Sequence, residues 1–226
     1  LSVLNTLVKG VQKEMESYDP TRAGRLIEDF VNNDLSNWYV RLNRKRFWGK
    51  EMSQDKLAAY QTLYTCLTTV AKLLAPFAPF FADQLFCDLG AAQLENTTSV
   101  HLAKFPVADE SLIDRELEER MGMAQKITSM VHALRKKVNI AVRQPLQAIM
   151  IPAVDDEQRR HIEAVKDLIL SEVNVKELRF VEGSGVLVKK VKCNFRTMGK
   201  KFGKLMKGIA AAMSALDQDQ IAELET

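Results

Sequence analysis

The chain has 226 residues and a formal net charge of +3, and 46% of its residues are hydrophobic. This length allows one large domain or two smaller ones, each with its own hydrophobic core. The longest apolar stretch, residues 73–82, contains two prolines and is far shorter than the roughly 20 residues of a membrane span. Three widely spaced cysteines without a CxxC motif argue against a disulfide framework or a zinc knuckle, and indicate a reducing cytoplasm.

Apolar side chains recur at intervals of three and four through residues 1–108, which is the spacing of amphipathic helices in a bundle. The pattern predicts helices over residues 1–17, from about 21 to 47, from 54 to about 75, and over 80–89. The first break falls at Asp19-Pro20, because proline disfavours helical geometry in the residue before it. Since the first helix has begun at Leu1 without an initiator methionine, we expect a piece of a longer protein whose remainder holds any catalytic site.

The pattern changes after an irregular stretch that ends near residue 113. A long helix over about 111–138 is followed by a strand in PLQAIMIP, a helix over 155–173, two strands around Gly183-Ser184-Gly185 and a helical tail. The fold class is therefore predicted as mainly α. Residues 1–108 form an antiparallel helical bundle, and residues 109–226 form a connecting helix plus a small α/β module with a helical tail.

Residues 33–50, NDLSNWYVRLNRKRFWGK, combine five basic residues with four aromatic ones. On a helical wheel the basic residues lie on one flank, beside the apolar arc that contains Trp38 and Tyr39. Such a flank creates a local positive potential, guanidinium groups suit phosphate oxygens, and an exposed indole can stack on an unpaired base. We predict nucleic-acid contacts for Arg41, Arg44, Lys45, Arg46 and Trp48. The alternative is a solvated helix end whose charges complement the helix dipole.

Two further basic patches lie in the second half of the chain. From Gly183 to Leu216 there are eight Lys and Arg residues and no acid. Glycines in GKKFGKLMKG allow the backbone to approach a phosphate, so we predict contacts at Lys200, Lys201 and Lys204; a solvated connector is the alternative. The other patch, RKKVNIAVRQP, contains Arg135, Lys136, Lys137 and the predicted contact Arg143. Patches distributed along the chain suit an extended polyanion such as RNA.

The sequence lacks HExxH, Walker GxxxxGK[ST] and GxGxxG motifs, and its three histidines are far apart. We therefore expect a binding module without catalytic residues, without a metal site and without a cofactor of its own.

Several segments resemble isoleucyl-tRNA synthetases, a family of class I aminoacyl-tRNA ligases. The stretch LSNWYVR…RFW (residues 35–48) resembles the signature helix of that family, and SVHLAKFP (99–106) resembles the isoleucyl form of a later segment. KLLAPFAPFFADQLF (72–86) resembles a helix and turn shared with the valyl, leucyl and methionyl enzymes. VRQPL (142–146) and FGKLMKGIAAAM (202–213) resemble the isoleucyl region beyond the bundle.

The resemblance implies an anticodon-binding bundle followed by an α/β module, in an enzyme that uses ATP and Mg²⁺ to attach isoleucine to its tRNA. The catalytic and editing domains would lie outside this chain. The implied partners are isoleucine tRNA and the enzyme's own catalytic domain, in a cytoplasmic monomer with no membrane partner. Many family members end in a cysteine-rich zinc module that this chain lacks. A valyl or methionyl enzyme, or a helical protein-interaction scaffold, remain alternatives.

Overall fold

The computed structural model describes residues 1–152, 155–181 and 202–214, except for the side chains of residues 204 and 214. Contacts divide the chain into two compact units, Leu1–Ser129 and Met130–Thr226. The boundary expected between residues 108 and 109 stays a prediction. Within the described ranges, no helix is both long enough and apolar enough to cross a membrane.

Helices make up almost all of the regular structure in the first unit, as the apolar spacing predicts. In chain order they are α1 Ser2–Glu16, α2 Pro20–Asp29, a π-helical segment Phe30–Val40, α3 Arg44–Trp48, α4 Gln54–Leu74, α5 Pro79–Asp88 and α6 Ala91–Leu94. Short 3₁₀ turns follow at Val100–Leu102 and Glu110–Leu112, and α7, Arg115–Lys137, begins in this unit. The carboxylate of Asp19 accepts from the Arg22 amide and the Ser53 hydroxyl accepts from the Lys56 amide, which caps α2 and α4.

The second predicted helix is not one continuous α-helix to Phe47. α2 gives way to π-helical turns over Phe30–Val40, and the amide of Arg41 donates to the carbonyl of Ser36, five residues earlier. This i→i+5 bond defines a wider turn than the α-helix. Phe30 and Leu35, also five residues apart, are both buried, so the wider turn brings this apolar spacing to one face. The α-helical wheel therefore describes these residues poorly.

The core of the first unit lies among α1, α2, the π-helical segment and α4. Its buried side chains are Leu4, Leu7, Val8, Val11, Ala23, Ile27, Phe30, Leu35, Cys66, Val70 and Leu73. A smaller cluster under α5 and α6 consists of Ala71, Ala82, Phe86, Ala91, Ala92 and Val100. Burial of this apolar surface is the main favourable contribution to folding of the unit.

Hydrogen bonds tie the residues before and within α7 to the first helix. The amide of Asp109 donates to Oδ1 of Asn5 over 2.8 Å, and the hydroxyl of Thr6 donates to the Glu118 carboxylate over 2.8 Å. Asn5 is itself buried, so its side-chain oxygen is well placed to satisfy a backbone amide. These bonds join the start of α7 to α1 within the first unit.

The second unit contains a two-stranded parallel sheet with helices between its strands. Its elements are β1 Leu146–Pro152, α8 Asp156–Ala164, α9 Lys166–Val173 and β2 Val175–Val181, then a 3₁₀ turn Gly203–Leu205 and α10 Met206–Ser214. Leu146 pairs with Val175 and Pro152 with Val181. The helix predicted over 155–173 is divided at Val165, whose φ of −115° and ψ of 13° are not helical. The strand predicted after Gly183-Ser184-Gly185 lies outside the described residues.

Candidate nucleic-acid interface

The short helix α3 is anchored to α4 by aromatic packing. Phe47 is buried, and its ring lies 5.1 Å from the ring of Tyr60 and 6.3 Å from that of Tyr39, measured between centroids. The hydroxyl of Tyr60 donates to the Phe47 carbonyl over 3.3 Å, and that of Tyr39 donates to the Ala59 carbonyl over 3.0 Å. Rings at these separations attract one another in addition to burying area. α3 is thereby fixed on the first turns of α4.

Arg46 fastens α3 to the start of α4. Its Nε and Nη2 donate to the two carboxylate oxygens of Asp55 over 2.7 and 2.6 Å, and Nη1 donates to Oδ1 of Asn43 over 2.7 Å. This fork-to-carboxylate geometry is the strongest form of a surface ion pair. The hydrogen bond from Arg46 holds the pKa of the Asp55 carboxyl below its usual value. The guanidinium of Arg46, which was predicted as a nucleic-acid contact, thus binds other residues of the protein.

Arg44, Lys45 and Trp48 have their side chains exposed on the same helix, as the sequence predicted. Among the described residues, the side chains of Arg44 and Lys45 form neither a hydrogen bond nor an ion pair. The Trp48 side chain is 79% exposed, which is unusual for so large an apolar ring. At its C-terminal end the helix is held by Lys56, whose Nζ donates to the Gly49 carbonyl over 2.6 Å. Two cations and an indole are therefore displayed on a fixed support.

Arg41 differs from its neighbours on α3. It is half-buried, and its Nε donates to the carbonyl of Asn37 over 2.9 Å. That bond runs back along the π-helical segment, from Arg41 to a residue four positions earlier. Its predicted contact with nucleic acid stays a prediction.

The predicted contacts of the second unit have different positions. Arg143 has an exposed side chain in the loop of residues 141–145, which joins α7 to β1. Lys204 lies in the 3₁₀ turn Gly203–Leu205, and Lys200 and Lys201 lie outside the described residues. Arg135, which the sequence placed in the same basic patch as Arg143, is instead 3% exposed. Its guanidinium donates to backbone carbonyls, so it is not available for an external anion.

A cavity of about 350 Å³ lies between the π-helical segment, α1, α4 and α7 in the first unit. Its lining is mainly apolar, with Asp34, Glu118 and Gln125 among the polar exceptions. Nε2 of Gln125 donates to Oδ1 of Asp34 over 2.9 Å. Burial nevertheless raises the pKa of Asp34, because the charged carboxylate is partly removed from water. The pKa of this carboxyl is therefore shifted upward, whereas the pKa of Asp55 is shifted downward.

Sequence reasoning missed which basic residues support the interface and which are displayed on it. Arg44 and Arg46 are two positions apart and indistinguishable by composition, yet of these two only Arg46 contacts a carboxylate among the described residues. A signal was available in the sequence. Ser53 is a residue type that often caps a helix, and a cap there places Asp55 in the first turn of α4, close behind the basic segment.

The first unit is a helical bundle that exposes two cations and an indole on α3. The family model for the anticodon-binding domain of tRNA ligases matches residues 1–150. The chain therefore belongs to the family of anticodon-binding domains of tRNA ligases.

The curated proteins that resemble the chain narrow this class to one kind of ligase. It is 67% identical over its whole length to an isoleucine–tRNA ligase of Bacteroides fragilis and 58% identical to that of Porphyromonas gingivalis. It is 46% identical over 84% of its length to that of Dehalococcoides mccartyi. The chain spans about a fifth of the length of these relatives.

Proposed function

We propose that this chain is the anticodon-side tRNA-binding region of an isoleucine–tRNA ligase. The whole protein would activate isoleucine with ATP and Mg²⁺ and transfer it to the 3′ end of isoleucine tRNA. This region would hold the tRNA through phosphate contacts and select it through base contacts near the anticodon. The observation that carries the proposal is the display of Arg44, Lys45 and Trp48 on α3, with Arg46 and Phe47 fixing that helix to α4.

The chemistry of the displayed groups suits single-stranded RNA. Arg44 and Lys45 supply cations that the described part of the chain does not neutralise, and each phosphate neutralised releases a condensed counterion. Trp48 supplies an exposed ring on which an unstacked base can lie. An anticodon loop offers both groups, since its bases are unpaired and its phosphates closely spaced.

The proposal gives this chain no chemical step. Among the described residues no group of three or more His, Cys, Asp or Glu side chains could hold a metal ion. We assign ATP and Mg²⁺ to the rest of the enzyme, as the names of the relatives suggest for the whole protein. We also propose isoleucine tRNA rather than valine or methionine tRNA, contact with the enzyme's own catalytic domain, and action as a cytoplasmic monomer without a membrane partner. The choice of isoleucine tRNA is supported by the names of the relatives, which are isoleucine–tRNA ligases.

The test compares two charge reversals in the same unit. Arg44→Glu with Lys45→Glu should weaken binding of an isoleucine tRNA transcript and lower the slope of log K against log salt by about 1–2, since one or two phosphate contacts are lost. Lys13→Glu with Lys126→Glu, at exposed positions on α1 and α7, makes the same change in net charge and should have a much smaller effect.

Equal losses in the two double variants would contradict the proposal, because they would indicate diffuse attraction to any polyanion. Competition with valine and methionine tRNA transcripts tests the amino acid. In the full-length enzyme, the Arg44 and Lys45 variant should raise KM for tRNA and leave ATP–isoleucine exchange unchanged.

A further inference from the structure

The loop of residues 141–145 is held by its backbone in an unusual way. Four consecutive carbonyls accept hydrogen bonds from two side chains. Arg135 donates to Ala141 over 3.0 Å and to Gln144 over 2.9 Å, and the amide of Asn174 donates to Val142 over 2.9 Å and to Arg143 over 3.1 Å. The carbonyls of the loop are therefore directed inward and satisfied within the protein.

Arg135 is a buried cation that binds carbonyls in place of a carboxylate. It is 3% exposed, and it donates further to the carbonyls of Val173 and Asn174 over 2.9 and 3.1 Å. No acid within the described ranges forms an ion pair with it. Burial of a charge is costly, and this site offsets the cost with several carbonyl dipoles. The same guanidinium thus joins the end of α7, the loop and the turn before β2.

Asn174 has a backbone conformation suited to its role. Its φ of 52° and ψ of 58° are left-handed, which asparagine tolerates better than most residues. Its carbonyl accepts from the amide of Leu146 over 3.2 Å, at the point where β1 begins. The loop is therefore fixed at its middle by the Asn174 amide and at its C-terminal end by the Asn174 carbonyl.

The side chains of the loop, unlike its carbonyls, are exposed to solvent. All five residues of the segment AVRQP, including Arg143 and Gln144, are exposed. A hydrophobic anchor would bury a side chain, whereas here the backbone is fixed while the side chains remain in solvent. Preorganised display of this kind lowers the entropy cost of binding a ligand.

We propose that residues 141–145 form a second RNA-contact site, in which Arg143 and Gln144 contact unpaired nucleotides of the tRNA. Arg135 and Asn174 act as positioning residues that set the loop backbone. The guanidinium of Arg143 binds a phosphate or the acceptor edge of guanine, and the amide of Gln144 offers one donor and one acceptor to a base edge. This inference rests on the proposed function and extends it to the second unit.

The first measurement is the affinity of the full chain for an isoleucine tRNA transcript. Arg143→Ala and Gln144→Ala should each weaken binding by about fivefold or more, with an unchanged melting temperature because both side chains are exposed. Arg143→Ala should also lower the slope of log K against log salt by about 1, and Gln144→Ala should leave that slope unchanged.

The positioning role has a matched pair of variants. Asn174→Gly keeps a residue that adopts left-handed geometry but removes the amide that binds the two carbonyls. Asn139→Gly makes the same change at an exposed asparagine with a φ of 55°, whose side chain forms no hydrogen bond within the described part of the chain. Asn174→Gly should weaken tRNA binding, and Asn139→Gly should not.

A double variant separates positioning from general destabilisation. If Asn174 acts by placing Arg143 and Gln144, then Asn174→Gly adds little to the loss already caused by Arg143→Ala combined with Gln144→Ala; additive losses would overturn the positioning role. Unchanged affinity in both Arg143→Ala and Gln144→Ala, in a chain whose Arg44 and Lys45 variant binds weakly, would overturn this site alone. Unchanged affinity in all of these variants would overturn the proposed function as well.

Discussion

The basic segment on α3 and the loop of residues 141–145 display cations by two different physical means. In each region one arginine binds other groups of the protein, and the basic residues near it are exposed. Arg46 binds the Asp55 carboxylate at the surface, where both side chains remain partly in water. Arg135 binds four carbonyls in the interior. A surface ion pair is weakened by salt and acid, whereas carbonyl acceptors do not titrate, so the two supports should fail under different conditions.

The largest expected effect is on stability and falls in the second unit. Arg135→Met would remove a donor from four carbonyls, of which that of Asn174 keeps the Leu146 amide, and we expect the free energy of unfolding to fall by about 3 kcal/mol or more. Urea denaturation followed by circular dichroism measures the change. Lys136→Met, at the exposed neighbouring position, should change it by less than about 0.5 kcal/mol. Similar values for the two variants would show that the carbonyl cluster contributes little.

The next largest effect is on tRNA binding and comes from Trp48 in the first unit. Trp48→Ala should weaken tRNA binding by about 1–3 kcal/mol if one base stacks on the indole, and it should leave the melting temperature unchanged because the ring is 79% exposed. Phe80→Ala removes another aromatic ring, 91% exposed on α5, and serves as the control. Equal affinity of the Trp48 variant and wild type in a filter-binding titration would remove the stacking contact from the proposed interface.

Loss of the Arg46 bonds that fix α3 should have a smaller effect on tRNA binding, and this effect should depend on salt. Arg46→Met removes the bonds to Asp55 and Asn43, so Arg44 and Lys45 lose part of their fixed placement. We expect weaker tRNA binding at low salt, with little change in unfolding because Phe47 still packs on Tyr60. Isothermal titration at two salt concentrations tests this. A loss of affinity equal to that of the Arg44 and Lys45 variant would indicate that Arg46 itself touches the RNA.

The contrast between the two arginines also marks the limit of sequence reasoning here. The apolar spacing and the break at Asp19-Pro20 predicted α1, α4 and α5, because these signals act within a few residues. The partners of Arg46 and Arg135 are separated from them by up to 39 residues, so composition assigned both to an external surface. The π-helical segment was missed for a related reason, since its wider turn follows from the packing of Phe30 and Leu35 in the folded core.

Acid should weaken the ion pair between Arg46 and Asp55 and leave the bonds from Arg135 to carbonyls intact. The folded-state pKa of Asp55 is lowered by Arg46, so its contribution to stability is present above the usual carboxyl pKa of about 3.9 and is lost as pH falls through the lower folded value. Between about pH 5 and pH 3, wild type should therefore lose more stability than Asp55→Asn does, as followed by thermal melts. Parallel pH profiles for the two proteins would contradict a role for this ion pair in holding α3.

The smallest expected effect has the opposite sign and comes from Asp34, which precedes α3 in the π-helical segment. Burial raises its pKa, so the folded state binds a proton more tightly than the unfolded chain and gains stability as pH falls. Asp34→Asn keeps the oxygen that accepts from Gln125 and removes the charge. It should therefore raise the melting temperature slightly at pH 7, and the gain should disappear below about pH 3, where the carboxyl is protonated in both states. A gain that persists in acid would mean that packing of the new amide, and not removal of the charge, stabilises the variant.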